Sequence, residues 1–184
     1  MTELLLGAGR ARDKRILTPA NPQMGWQALK THDILRGCGC DYTWDLEQTP
    51  WRCWHDDSFD EVHAYEVLEH LGRQGDFRAF FAHFYELWRI LKPDGYLVAT
   101  CPSRFSEWLW GDPGHTRAIL PATLHFLARP VYQQCEGPHP TSMSDYRHAW
   151  KGDFEIRRSE DDRTTHRFVL QAVKPARQAA AEVK

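Results

Sequence analysis

The residues with the most to offer chemically stand in the phrase Gly111-Asp112-Pro113-Gly114-His115-Thr116-Arg117, which sets a hydrogen-bond acceptor, an imidazole and a fixed cation within one short loop. An imidazole that changes charge near neutrality can take a proton from a reacting hydroxyl or amine, and a guanidinium can hold an anionic group. His115 is therefore the candidate base, Asp112 its orienting partner, and Arg117 a candidate substrate anchor. An ion-paired loop, with Arg117 fastened to Asp112 and His115 exposed, would use the same residues structurally. Upstream, Glu66 and His70 stand one helical turn apart in Tyr65-Glu66-Val67-Leu68-Glu69-His70-Leu71, so both share a face if a helix has begun there. His70 is the second candidate catalyst. A helix-dipole role for Glu66 and a packing role for His70 fit the same spacing.

Other residues suit a nucleoside. Gly7-Ala8-Gly9 closes an apolar run, and glycines there let the backbone pass close to a ligand. Arg12 stands where a dinucleotide fingerprint has its third glycine. Asp33 follows Gly9 at about the interval at which a strand-end acid reaches ribose hydroxyls, and it could equally be a turn residue opening the loop from Ile34. Trp108 and Trp110 could line a pocket. Cys38, Cys40, Cys53, His55 and His63 offer thiols and imidazoles, but no paired cluster completes a zinc pattern, so no metal is expected.

These residues need elements to position them. Residues 3–6, a strand within 26–34 and a short one over 41–46 precede the strand of Phe59-Asp60-Glu61-Val62, and the first three lead to Gly7, Asp33 and Asp45. Phe77, Phe80, Phe81, Phe84, Leu87, Trp88 and Leu91 recur at helical steps and predict a helix packed on a sheet. Lys92-Pro93-Asp94-Gly95 ends it, and residues 96–101 read as a buried strand. Residues 10–25 carry Pro19 and Pro22 without a helical stripe, so a helix after the glycine turn is expected to be short or absent. Residues 103–150 form an insertion with one helix over 121–128, opened by Pro121. Residues 154–158 and 166–173 predict an antiparallel hairpin, with 159–163 as its turn. The domain is expected to span 1–174, with 175–184 a flexible tail.

The order of these elements, together with Leu4-Leu5-Leu6-Gly7-Ala8-Gly9, Ser58-Phe59-Asp60-Glu61-Val62, Glu66-Val67-Leu68-Glu69-His70-Leu71 and the run from Arg89 to Ser103, resembles the class I S-adenosylmethionine-dependent methyltransferases, especially short phage and bacterial ones of methyltransferase type 11. The resemblance covers about residues 3–120. The Asp112 to Arg117 phrase resembles the Asp-Pro-x-His-x-Arg of the same proteins. It implies an α/β, Rossmann-like fold with a mostly parallel sheet and a C-terminal antiparallel hairpin, and S-adenosylmethionine as cofactor. It also implies a cofactor site of Gly7, Ala8 and Gly9, of Asp33 and Ile34 at the ribose, of Asp45 and Leu46 at the adenine, and of Tyr65 and Glu66 beside the sulfonium. Leu5 departs from the family, which commonly has an acid there.

The chain has 184 residues, with 23 basic against 25 acidic side chains and no long run of one sign, so no nucleic-acid surface is evident. A small molecule, sugar or nucleotide is the expected acceptor, shaped by residues 103–150. The five cysteines are odd in number, and residues 4–6 are too short for a signal core or membrane span, so a cytoplasmic protein is expected. Two other classes share these features: a non-catalytic Rossmann-like binding protein, favoured by Leu5, Arg12 and the missing helix, and a nicotinamide-dependent oxidoreductase, disfavoured by the missing glycine.

Overall fold

The computed structural model describes residues 1–136 and 141–177. Its strands are β1 (Thr2–Leu6), β2 (Ala28–Asp33), β3 (Tyr42–Thr43), β4 (Phe59–Tyr65), β5 (Leu91–Pro102), β6 (Phe154–Asp161) and β7 (Thr165–Ala172). They form one sheet in the order β3-β2-β1-β4-β5-β7-β6. The first five run parallel, and β7 lies antiparallel between β5 and β6. This is the expected mostly parallel, Rossmann-like sheet with its closing hairpin. Chain order reverses beside β1, which has β2 on one side and β4 on the other, and such a switch point opens a crevice at the carboxyl ends of the strands.

One face of the sheet is packed by α1 (Phe77–Ile90), whose Phe80, Phe81, Phe84, Leu87 and Ile90 are buried against Leu4, Leu6, Val62, Ala64 and Leu97. Asp76 caps the helix by accepting from Ala79 N at 3.0 Å. Trp51, Trp54 and Trp150 complete this layer. The turn expected at 92–95 exists as a looped-out bulge within β5: Leu91 pairs with Phe59, pairing resumes at Tyr96 with Glu61, and Asp94 takes φ +63°.

Three boundaries differ from expectation. β3 holds only Tyr42–Thr43, because Asp45 turns the chain by accepting from Glu47 N at 3.1 Å. The helix expected over 121–128 splits into α3 (Pro121–Leu124) and a 3-10 turn, His125–Leu127. The hairpin strands extend further, since Asp162 gathers Thr164 N and Thr165 N at 2.7 Å and tightens the turn. A short helix, α2 (Trp108–Gly111), lies in the insertion. Of the expected tail, residues 178–184 fall outside the described residues, and Arg177 Nε is held at 2.6 Å by Asp153 Oδ2. Among the described residues no helix is long and apolar enough to cross a membrane.

The opposite face has no helix between β1 and β2, as the prolines implied. Strand alternation explains what covers it. Leu4, Leu6, Val62 and Ala64 point toward α1, so Glu3 on β1 and Glu61, His63 and Tyr65 on β4 point the other way. Glu3 and Glu61 are register partners, which sets two buried carboxylates side by side. The segment 8–27 answers this with Lys14, whose Nζ donates to Glu3 Oε1 at 2.6 Å and Glu61 Oε2 at 2.9 Å. Thr18 also donates to Glu61, and Asn21 Nδ2 donates to Glu3 at 3.1 Å. His63 Nε2 lies 2.9 Å from Glu61, and its Nδ1 lies 2.8 Å from the Tyr65 hydroxyl. Burial alone would raise the Glu61 pKa, but the hydrogen bonds from His63, Thr18 and Lys14 hold it at about 2. Burial lowers the His63 pKa. An apolar helix face could not satisfy this stripe; a cation on an irregular strap does.

Candidate active site

The carboxyl ends of β1, β2 and β4 border a cleft of about 300 Å³ lined by Gly7, Asp33, Ile34, Asp45, Leu46, Glu66 and His70, among others. Gly7 takes φ +58°, and a Cβ there would lie 2.5 Å from Val67 Cγ2, so the turn admits no side chain against β4's exit. Asp33 serves more than one purpose. Its Oδ2 accepts from Gly9 N at 2.7 Å and its Oδ1 from Leu35 N at 2.8 Å, so it fixes the glycine turn and opens the next turn. Each oxygen keeps a lone pair for a further donor. Ile34 is 60% exposed, presenting an apolar surface at the cleft, and Leu46 is buried beside Asp45. Glu66 is exposed, with φ +55°.

Three expected cofactor residues do not line the cleft. Ala8 is buried, its N–H donating to His32 O at 2.9 Å. Tyr65 shares the parity of Glu61 and His63, so its ring faces the strap and its hydroxyl accepts from Arg15 N at 3.2 Å. Gly9 does not line the cleft, although its N–H ties the turn to Asp33.

The second half of the site lies across the same crevice. Val67 leads not into a helix but into a 3-10 turn, Leu68–His70, so the expected one-turn pairing of Glu66 with His70 does not form. The insertion folds back over this turn, with Thr116 N and Arg117 N both donating to Glu69 O, at 2.9 and 3.1 Å. The return brings His115 against His70, with ring centroids 4.7 Å apart and edge-to-face. His115 Nδ1 donates to Trp108 O at 2.7 Å and His70 Nδ1 to Gly114 O at 2.9 Å, which leaves both Nε2 atoms as lone-pair acceptors. His115 Nε2 lies 3.9 Å from Glu69 Oε1 and 3.9 Å from Asp112 Oδ2. Asp112 spends Oδ1 on Gly114 N at 2.7 Å, so the group that orients His115 is the Trp108 carbonyl and not Asp112.

Glu69 was not singled out by spacing. It is fully buried, and neither carboxylate oxygen has a hydrogen-bond partner; Cys101 and Glu66 lie beside it outside hydrogen-bond geometry. Burial first, and the charge of Glu66 after it, push its pKa up to about 8. Trp108 and Trp110 are 63% and 58% exposed, with Leu109 between them as the buried anchor of α2.

Arg117 neither meets Asp112 nor reaches the cleft. It is 6% exposed, its Nε donates to Leu71 O at 3.2 Å, and its Nη2 donates to Arg73 O and Asp76 O at 2.7 Å. Its guanidinium lies 5.2 Å from the Phe80 ring and forms one wall of a separate aromatic cavity of about 280 Å³. Burial lowers its pKa. Arg117→Ala is therefore expected to cost stability, because charge-assisted bonds to buried carbonyls contribute about 1.5–3 kcal/mol each and do not add fully. In a chain of this size the melting temperature should fall by roughly 5–15 °C. S-adenosylhomocysteine affinity should stay within about twofold, and a raised KM for the acceptor with unchanged melting would return Arg117 to its expected role as substrate anchor.

Among the described residues the thiols do not gather with imidazoles. Cys38, Cys40, Cys53, Cys101 and Cys135 are all free, and His63 belongs to the charged network under the strap.

Residues 29–99 match the family model of a methyltransferase domain. A search of curated protein sequences gives no match. Among solved structures, the chain is similar to an S-adenosylmethionine-dependent methyltransferase from Archaeoglobus fulgidus, with 13% identity, TM-score 0.51, and 92% of this chain and 85% of that one covered. A second, from Mesorhizobium loti, has 13% identity, TM-score 0.52, and coverage of 92% and 90%. The cyclase SpnF has 14% identity, TM-score 0.53, and coverage of 94% and 74%. Residues 29–99 are thus similar to a methyltransferase domain, and the chain shares the Rossmann-like fold of these solved structures.

Proposed function

We propose that this protein transfers a methyl group from S-adenosylmethionine to a small molecule, sugar or nucleotide held against the insertion. The observation that carries the reading is that His70, whose ring packs edge-to-face on His115, lines the same cleft as Gly7, Asp33, Asp45 and Leu46. The cofactor, when bound, supplies an electrophilic methyl group on a sulfonium centre. Asp33 has lone pairs for ribose hydroxyls, Asp45 an acceptor for the exocyclic amine, and Ile34 and Leu46 apolar surface for the adenine ring. Glu66, exposed beside Gly7, faces the amino-acid end. His115 Nε2 takes the acceptor's proton, its tautomer fixed by the Trp108 carbonyl. Trp108, Trp110 and the described residues of 103–150 flank the acceptor; residues 137–140 of the insertion lie outside the described residues.

The fold alone does not decide the chemistry, since it is shared with a cyclase. The test is calorimetry and thermal shift with S-adenosylhomocysteine and with nicotinamide cofactors, followed by transfer of labelled methyl to a metabolite pool. At about a hundred times its dissociation constant, S-adenosylhomocysteine should stabilise the fold by about 2.7 kcal/mol. Binding without transfer would leave a binding protein; a response to nicotinamide alone would overturn the cofactor assignment. Asp33→Ala should weaken binding more than about tenfold, as two charged hydrogen bonds contribute about 1.5–3 kcal/mol each. Because Asp33 also pins Gly9, the ribose role is read by comparing adenosine with 2′-deoxyadenosine: the wild type should discriminate between them and Asp33→Ala should not. Equal discrimination by both proteins would leave Asp33 as a turn residue only.

A further inference from the structure

We propose that Glu69, His70 and His115, with Asp112 at their edge, form a binding site for a divalent first-row transition cation such as Mn²⁺, Fe²⁺ or Zn²⁺. One ligand atom from each of Glu69, His70 and His115 lies within 4.8 Å of the others. His115 Nε2 is 3.9 Å from both Glu69 Oε1 and Asp112 Oδ2. A cation about 2.1 Å from each donor spans opposite ligands separated by about 4.2 Å, so a modest rotation of exposed His70 closes the set.

Three independent features point to a cation and not to chance proximity. Both imidazoles are pinned through Nδ1 to backbone carbonyls, Trp108 O and Gly114 O, the outer arrangement that orients a metal-binding histidine and leaves Nε2 free. Glu69 is fully buried with neither carboxylate oxygen hydrogen-bonded, and a buried carboxyl group so placed either keeps its proton or takes a positive partner. The third feature is a contrast within the same molecule. Glu3, Glu61 and His63 form another group close enough to hold an ion, but there Lys14 Nζ, Thr18 and Asn21 fill it. Among the described residues no lysine or arginine forms an ion pair with Glu69. One group brings its own cation; the other is left to take one from solution.

Two imidazoles with one or two carboxylates select first-row transition ions over magnesium or calcium, which prefer oxygen throughout. His70 lines the cleft assigned to the cofactor, so an acceptor filling an open coordination position would lie beside that cleft. This consequence rests on the methyl-transfer reading: an acceptor oxygen on the cation would ionise more readily, and its proton would be easier to remove. Metal binding itself does not rest on that reading.

The experiment titrates chelator-stripped full-length protein with Mn²⁺, read by the loss of the free-ion electron paramagnetic resonance signal, with Zn²⁺ competition as a second readout. Wild type should bind one ion per chain. Glu69→Gln, which keeps the shape of the side chain, and His115→Ala should each weaken binding at least about tenfold, as should His70→Ala at an exposed position. His125→Ala, away from the cluster, should not. Circular dichroism melts without metal confirm that each variant is folded. Saturable binding lost in these three variants establishes the site even if S-adenosylhomocysteine fails to bind, in which case the methyl-transfer reading falls alone. No saturable binding up to millimolar ion, or equal binding by wild type, Glu69→Gln and His115→Ala, overturns the metal site whatever the cofactor result.

Discussion

His115→Ala should lower turnover at least a hundredfold once an acceptor is identified, the smaller end of the range of about 10²–10⁴ that a positioned base contributes. The loss should appear in kcat, because His115 is not among the residues that line the cleft of Gly7, Asp33 and Asp45. S-adenosylhomocysteine affinity should move by less than about threefold. The imidazole has one free nitrogen, and that nitrogen either receives the proton or coordinates the ion proposed above. If it receives the proton, wild-type activity persists after stripping with chelator and only the alanine variant is slow. If it coordinates, stripping reproduces the variant's loss and added Mn²⁺ restores the wild type alone. Full turnover by His115→Ala would remove it from the chemistry and leave His70, the other imidazole with a free Nε2, as the residue to test.

Lys14→Met should be the most destabilising single change on the far side of the sheet. It keeps the bulk of the side chain and removes the one charge between Glu3 and Glu61, both fully buried. Removing one partner of a buried ion pair costs about 3–5 kcal/mol, since the carboxylates left behind remain out of water. The pH dependence gives the sign. Glu61 sits at about 2, below its ordinary value of 4.5, so its contribution in the wild type is fully present above pH 4.5 and is lost as pH falls toward 2. In Lys14→Met the carboxylates lose the charge that favours ionisation, so acid relieves the variant by protonating them. The stability gap between the two proteins, measured by urea denaturation, should therefore be wide at pH 7 and narrow toward pH 4. Lys14→Met combined with Glu3→Gln should recover part of the loss, by halving the unpaired charge. A gap that is the same at both pH values would show that Lys14 contributes packing and not charge.

The parts of this fold that were legible in the sequence are those governed by a short repeat. Alternation on β1 and β4, the helical stripe of α1 and the prolines of 8–27 each dictate local structure, and the parallel order follows from them. Gly7, Asp33, Asp45 and Leu46 were legible for the same reason: residues that end neighbouring parallel strands share one edge. Tyr65 was misplaced although its parity with Glu61 and His63 was available to show that it faces the strap. Arg117 and Glu69 had no such signal. Their roles come from the insertion folding back over a 3-10 turn, a contact between segments far apart in the chain that leaves no period in either. The expectation of no metal weighed thiols and imidazoles close in sequence, whereas Glu69, His70 and His115 meet only in space.

The strap over the second sheet face has a consequence for motion. A helix protects its amides through its own hydrogen-bond ladder, but residues 8–27 have none, and they are held by side chains converging on Glu3 and Glu61. The backbone of this segment should therefore open to solvent as a unit, well below the free energy of global unfolding, with α1 and the central strands still closed. The same strap begins at the turn that borders the cleft, with Gly9 N bonded to Asp33 and Arg15 N to Tyr65. Occupancy of the cleft and amide exchange along the strap are thereby linked. A molecule seated against Gly7 therefore slows exchange at residues that it never touches.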